Sequence, residues 1–182
     1  MKKLLFILSV LMLVSVSAFG QSKLKTKSGT INFEASVPSF EEVKAINKDV
    51  SAILNTETGE FAALALMKGF RFKIALMEEH FNENYVESSK FPKAVFKGTI
   101  VNFNKDAVSD TPTEFEINGS ITLHGVTWDI NVPVKIWRED QFTVLSTDFK
   151  LKPTDFDIKI PAIVSKKVAE EVEVNANFSL SN

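Results

Sequence analysis

Residues 113–134 read TEFEINGSITLHGVTWDINVPV. Phe115, Ile117, Gly119, Ile121 and Leu123 alternate with Glu114, Glu116, Asn118, Ser120 and Thr122. This period of two gives a strand one dry face and one wet face. After His124-Gly125 the alternation resumes on Val126, Trp128, Ile130, Val132 and Val134. With His124-Gly125 as a two-residue turn, Leu123 faces Val126, Ile121 faces Trp128, Gly119 faces Ile130, Ile117 faces Val132 and Phe115 faces Val134. The polar rows match as well, with Thr122 opposite Thr127, Ser120 opposite Asp129 and Asn118 opposite Asn131. A slip of one residue would turn every apolar side chain outward, so the register is strongly specified. A primed turn needs positive φ, which Gly125 supplies freely and His124 tolerates better than most residues.

More strands flank this hairpin. Upstream, residues 25–35 form a first strand with Ile31 and Phe33 on one side, and residues 50–54 a second, with a turn at 55–60. Between them, Val43, Ile46 and Asn47 space residues 40–48 as a short amphipathic helix or structured loop. Residues 61–77 are a long apolar segment whose second half sets Phe70, Phe72 and Ile74 against Arg71 and Lys73. A strand bent by a bulge at Gly69 accounts for it, with a helix over 61–68 as the competing reading. Residues 77–90 are polar and break the alternation, which suggests one or two helical turns across a barrel end. A strand at 93–103 with a bulge at Gly98 precedes a loop at 106–112. Downstream of the hairpin, a turn at 138–140 leads to a strand at 141–151. A connecting segment then turns helical after Pro161, and a last strand alternates Val172, Val174, Ala176, Phe178 and Leu180 with polar residues. About eight antiparallel strands joined by short turns define an all-β fold, an up-and-down barrel or a sandwich, with one or two short helical segments.

The amino end bounds where such a domain works. Met1-Lys2-Lys3, an apolar run to about Val16 and Ser17-Ala18-Phe19-Gly20 read as a secretory signal peptide over residues 1–20. The run is too short for a stable membrane span, and the domain at 21–182 is expected to be exported, to the periplasm or the cell exterior. Losing Lys2 and Lys3 takes the formal charge from −2 to −4, which gives no reason to expect nucleic acid. The chain has no cysteine, so no disulfide and no lipoprotein anchor is expected. Burial and sheet hydrogen bonding carry the stability instead.

Three stretches carry a resemblance. Residues 81–96, FNENYVESSKFPKAVF, resemble a loop followed by a "yPxAxF" strand start. Residues 119–127, GSITLHGVT, resemble a "GxLTLHGVT" hairpin, and Asp155-Phe156-Asp157-Ile158 with Pro161 resembles a closing "DYxIxxP". These are marks of the YceI-like family, and the similarity spans essentially the whole domain. Two departures stand out: Trp128, where the family commonly has lysine, and a divergent first third of the chain. The resemblance implies a lipocalin-like barrel that binds polyisoprenoids and related amphiphiles such as quinones or fatty acids, with no cofactor.

The residues themselves leave two interiors open. Sixteen phenylalanines beside one tyrosine and two tryptophans make an apolar interior with few polar handles, which suits an alkyl or isoprenoid tail. An eight-stranded barrel either fills itself with side chains or holds one small ligand. The candidate cavity residues are Phe70, Phe72 and Ile74; Phe96; Phe115, Ile117, Ile121, Trp128 and Ile130 of the hairpin; and Val174, Ala176 and Phe178. Gly119, Ala63, Ala65 and Ala176 are small enough to leave space or to take larger partners. Arg71 and Lys73 either meet an anionic head group or face solvent. The only histidines, His80 and His124, lack HxH or HExxH spacing, so neither metal binding nor catalysis is expected. No GxSxG elbow, phosphate loop or cysteine nucleophile is present. A filled barrel acting as an envelope interaction or stress protein is the alternative to a lipid binder.

Overall fold

In the computed structural model, which describes residues 22–182, the hairpin forms as β6 (Thr113–Leu123) and β7 (Val126–Glu139) in the register read above, residue for residue. His124 and Gly125 take φ of 51° and 80°. Around them lie β1 (Lys23–Ser36), β2 (Lys44–Asn55), β3 (Glu60–Leu66), β4 (Arg71–Phe72), β5 (Lys93–Ile100), β8 (Phe142–Leu151) and β9 (Val168–Leu180). Eight strands follow one another in the order β1-β9-β8-β7-β6-β5-β3-β2, and β1 pairs with β2 to close the barrel. The sandwich alternative therefore falls away. The ninth strand, the two-residue β4, adds to the free end of β2. The expected leader at 1–20 lies outside the described residues.

Several expectations are corrected, each by a tertiary contact. Residues 44–48 belong to strand β2 and are not helical. The inward row of β2 contains the buried polar Asn47, which hides its alternation. Asn47 Nδ2 donates to the Leu66 carbonyl and its Oδ1 accepts from the Asp49 N–H, both at 3.0 Å. At Gly69 the bend is a 3₁₀ turn over Met67–Gly69, not a bulge, and it carries the chain from β3 to β4 while both pair with β2. A Cβ on Gly69 would sit 2.6 Å from Asn47 Nδ2. At Gly98 the ladder runs through without a register shift and pairs Gly98 directly with Gly119. The ring of Phe96 lies over both glycines, and a Cβ on either would come within 2.9 Å of its ring tip. Gly119 thus makes room for an aromatic side chain and not for a ligand.

The barrel is packed at one end and hollow at the other. Leu54, Ile100, Val134, Ile136 and Leu180 are fully buried where the β2–β3, β5–β6, β7–β8 and β9 ends meet. Toward the opposite end β7 and β8 separate. Their ladder covers only Lys135–Glu139 against Phe142–Ser146. Pro133 has no N–H to offer β8; its carbonyl is met instead by the Thr147 hydroxyl at 2.6 Å. The 3₁₀ turn Pro153–Phe156 packs against β7 and β9 there, with Phe156 buried. Helix α1 (Ala75–His80), continued by a π-helical turn over Phe81–Tyr85, and the short helix α2 (Ala162–Ser165) lie at the same end.

Candidate apolar binding cavity

A cavity of about 560 Å³ occupies the hollow end. Its walls are the inward rows of the strands: Ile31, Phe33 and Ala35 of β1; Phe61, Ala63 and Ala65 of β3; Ile117, Ile121 and Leu123 of β6; Leu145, Thr147, Phe149 and Leu151 of β8; Val172, Val174, Ala176 and Phe178 of β9. Every second residue contributes because successive side chains point to opposite faces. From Val172 to Phe178 the wall follows about 20 Å of strand, or roughly 15 Å along the axis at the tilt usual for barrels.

The floor is aromatic. Phe61 lies 6.1 Å from Phe96 and 5.4 Å from Phe178, centroid to centroid. The ring of Phe178 lies over Gly29 of β1, where a Cβ would fall 2.4 Å from it. A second cluster borders the mouth. Phe33, Phe70, Phe72 and Phe81 stand 5.2–5.9 Å apart in tilted and edge-on pairs, the geometry that aromatic quadrupoles favour. These rings tie β1 to the helical segment that partly covers the opening.

His124 locks the cover from the other side. Its Nδ1 is 3.0 Å from the Phe156 carbonyl oxygen and its Nε2 is 2.8 Å from Glu87 Oε2. A carbonyl only accepts, so Nδ1–H donates there, and the Glu87 contact is an ion pair when the ring holds its second proton. Phe91 meets the imidazole edge-on at 4.5 Å. The hairpin tip, the 153–158 segment and the loop after Tyr85 are thus joined at one ring.

Polar groups on the lining are few. Thr147 is committed to Pro133, which leaves Glu41, His80, Tyr85 and Lys167 at the rim. The wall offers hydrophobic contact and no clustered chemistry. Among the described residues no three His, Cys, Asp or Glu side chains come together as metal ligands, and no helix is long and apolar enough to cross a membrane.

The sequence candidates divide by place. Phe70, Phe72, Phe96, Ile117, Ile121, Val174, Ala176 and Phe178 line the cavity. Ile74, Phe115, Trp128 and Ile130 do not. Ile74 is the extended N-cap residue just before α1. Phe115 packs on Phe103 at 5.9 Å, near the filled end. Trp128 is 50% exposed, and Ile130 borders an outer groove beside Gly119. Both lie on the stretch of β7 that has left β8. Arg71 turns to Glu78 at 2.7 Å, and neither it nor Lys73 lines the cavity. The rows Ile31-Phe33-Ala35 and Thr147-Phe149-Leu151 carry the same alternation as the hairpin and could have been read from it. Phe156 and Ile158 sit in irregular backbone and have no periodic signal.

A closed antiparallel barrel of eight strands with an apolar cavity at one end can hold one small ligand. The chain matches the model of the YceI-like domain over residues 22–180 and belongs to that family. Among solved structures it is similar to a polyisoprenoid binding domain from Saccharophagus degradans implicated in plant cell wall breakdown, with 12% identity and a TM-score of 0.75, covering 89% of this chain and 99% of that one. BcnA of Burkholderia cenocepacia gives 13% identity and a TM-score of 0.69, covering 85% and 96%. The Campylobacter jejuni YCEI protein gives 17% and 0.57, covering 79% and 89%. At these identities the likeness establishes the fold. No curated protein matches the chain in sequence.

Proposed function

We propose that this protein binds one amphiphilic lipid non-enzymatically, with the apolar tail of a polyisoprenoid, quinone or fatty-acid-like molecule in the cavity, and carries or sequesters it after export. The observation that carries this reading is the apolar cavity of about 560 Å³, within the 300–1,000 Å³ common for small-molecule sites. A filled barrel would leave no such space, so the interior speaks against the ligand-free alternative. The polyisoprenoid binding named for the Saccharophagus degradans structure supports the lipid class. About ten buried methylenes at roughly 0.8 kcal/mol each contribute near 8 kcal/mol gross. Association and ordering reduce this, which points to micromolar affinity. Mass spectrometry of an organic extract from protein purified out of its native envelope tests the reading. The expected result is one stoichiometric lipid whose return raises the melting temperature of stripped protein. Protein that yields no lipid and gains no stability from any would overturn it.

A further inference from the structure

We infer that the cavity mouth docks on the surface of an anionic lipid bilayer through the rim formed by residues 159–167 and Phe40. This inference rests on the amphiphile-binding reading and adds where the amphiphile is collected or delivered. Residues 159–167 read KIPAIVSKK, with three lysines and no carboxylate. Ile163, at the tip, is 87% exposed, the most exposed large apolar side chain among the described residues. Its neighbours Ile160 and Val164 line the cavity. Across the rim, Phe40 lines the cavity and is also 48% exposed. These two loops are neighbours because Ser36 at the end of β1 pairs with Val168 at the start of β9. Exposed apolar side chains on both loops therefore stand beside the cavity lining.

The charges around that surface favour a bilayer. Lys159, Lys166 and Lys167 are exposed, and none forms an ion pair among the described residues. Glu41 and Glu42 follow Phe40 on the same rim, and Asp157 and Glu170 flank residues 159–167 in the chain, yet none of them pairs with these lysines. An apolar tip flanked on its own segment by three unpaired lysines matches the interface of an anionic membrane, where the side chain enters the acyl boundary and the cations meet phosphates. Each lysine near such a surface contributes about fivefold in binding. A protein groove would be expected to bring carboxylates to pair these lysines. A second copy would set like charges against each other.

Flotation of the exported, processed chain with vesicles of phosphatidylglycerol and phosphatidylcholine tests this. Expected is binding that weakens with salt and disappears on pure phosphatidylcholine. Ile163→Asp should lower the partition coefficient roughly tenfold or more, and Lys166→Gln with Lys167→Gln about 25-fold. Ile53→Asp, an exposed apolar site away from the mouth, should bind like wild type. All these positions are exposed, and a melting curve on each variant confirms folding. Equal binding to neutral vesicles, rim variants that bind like wild type, or a dimer that Ile163→Asp dissociates would each overturn the inference. Uptake of a fluorescent fatty acid from solution reads the cavity separately. Full uptake without flotation sinks the docking face alone, whereas flotation without uptake sinks the amphiphile reading.

Discussion

The two ends of this barrel are built from the same strands and the same alternation, yet one is solid and the other hollow. At the solid end β7 and β8 are laddered and Leu54, Ile136 and Leu180 fill the axis. At the hollow end β7 and β8 part, Ala35, Ala63, Ala65 and Ala176 stand on the inward rows, and helical segments replace a plug of side chains. Three local choices thus separate core from cavity: the size of inward residues, a proline that ends a ladder, and a cover held from outside. The contrast also predicts which substitutions cost stability and which cost only binding.

The sharpest test exchanges identical chemistry between the ends. Leu180→Ala leaves a void where every neighbour is fixed, so it should cost about 2–5 kcal/mol. Leu151→Ala removes the same atoms from a wall that already faces open space. It should cost about 1 kcal/mol, since fewer contacts are lost. Denaturant melts of both give the ratio, and equal costs would mean that the hollow end packs as tightly as the solid one.

Next in size is the hairpin tip at the hollow end. Gly125 has φ of 80°, and a Cβ there would approach Phe91 Cε1 to 2.6 Å. Gly125→Val should cost on the order of 1–3 kcal/mol, read as a lowered midpoint with an unchanged denaturant slope. A milder change addresses the cover. Glu87→Gln keeps a hydrogen bond to His124 but removes the carboxylate charge, and Glu87 is 44% exposed. Less than about 1 kcal/mol of global stability should be lost, while hydrogen exchange in residues 81–88 should quicken. Unchanged exchange would mean that the aromatic cluster alone holds the cover.

How much was legible in the sequence follows the same division. The hairpin register, the last strand and the all-β fold were readable because a period of two survives wherever one face is dry. The strand at 44–48 was not, since Asn47 breaks the apolar row and is satisfied by the Leu66 carbonyl, a partner distant in sequence. Trp128 and Ile130 share a row with Val132 and Val134, yet only the latter two are buried; the parting of β7 and β8 is a tertiary event that alternation does not encode. Gly98 and Gly119 were legible as special, but not as the seat of Phe96. The cover at 153–158 had only its resemblance to a family motif to mark it.

The smallest expected change in stability is the most informative about function. Ala176 sits on the inward row of β9 between Val174 and Phe178, opposite Ile31 on β1 and Thr147 on β8. It is buried, yet it lines the cavity. In a filled barrel, a phenylalanine there would be overpacked at a typical cost of 1–3 kcal/mol. Here the ring has open volume above the Phe61–Phe96–Phe178 floor, so Ala176→Phe should shift stability by less than about 1 kcal/mol. The new ring then occupies the space proposed for the lipid tail, and uptake should fall at least tenfold for long tails and less for short ones. Stability and uptake are to be measured on one preparation. A variant that folds normally and still takes up long tails would place the ligand elsewhere, and one that is strongly destabilised would mean the space beside Ala176 closes in solution.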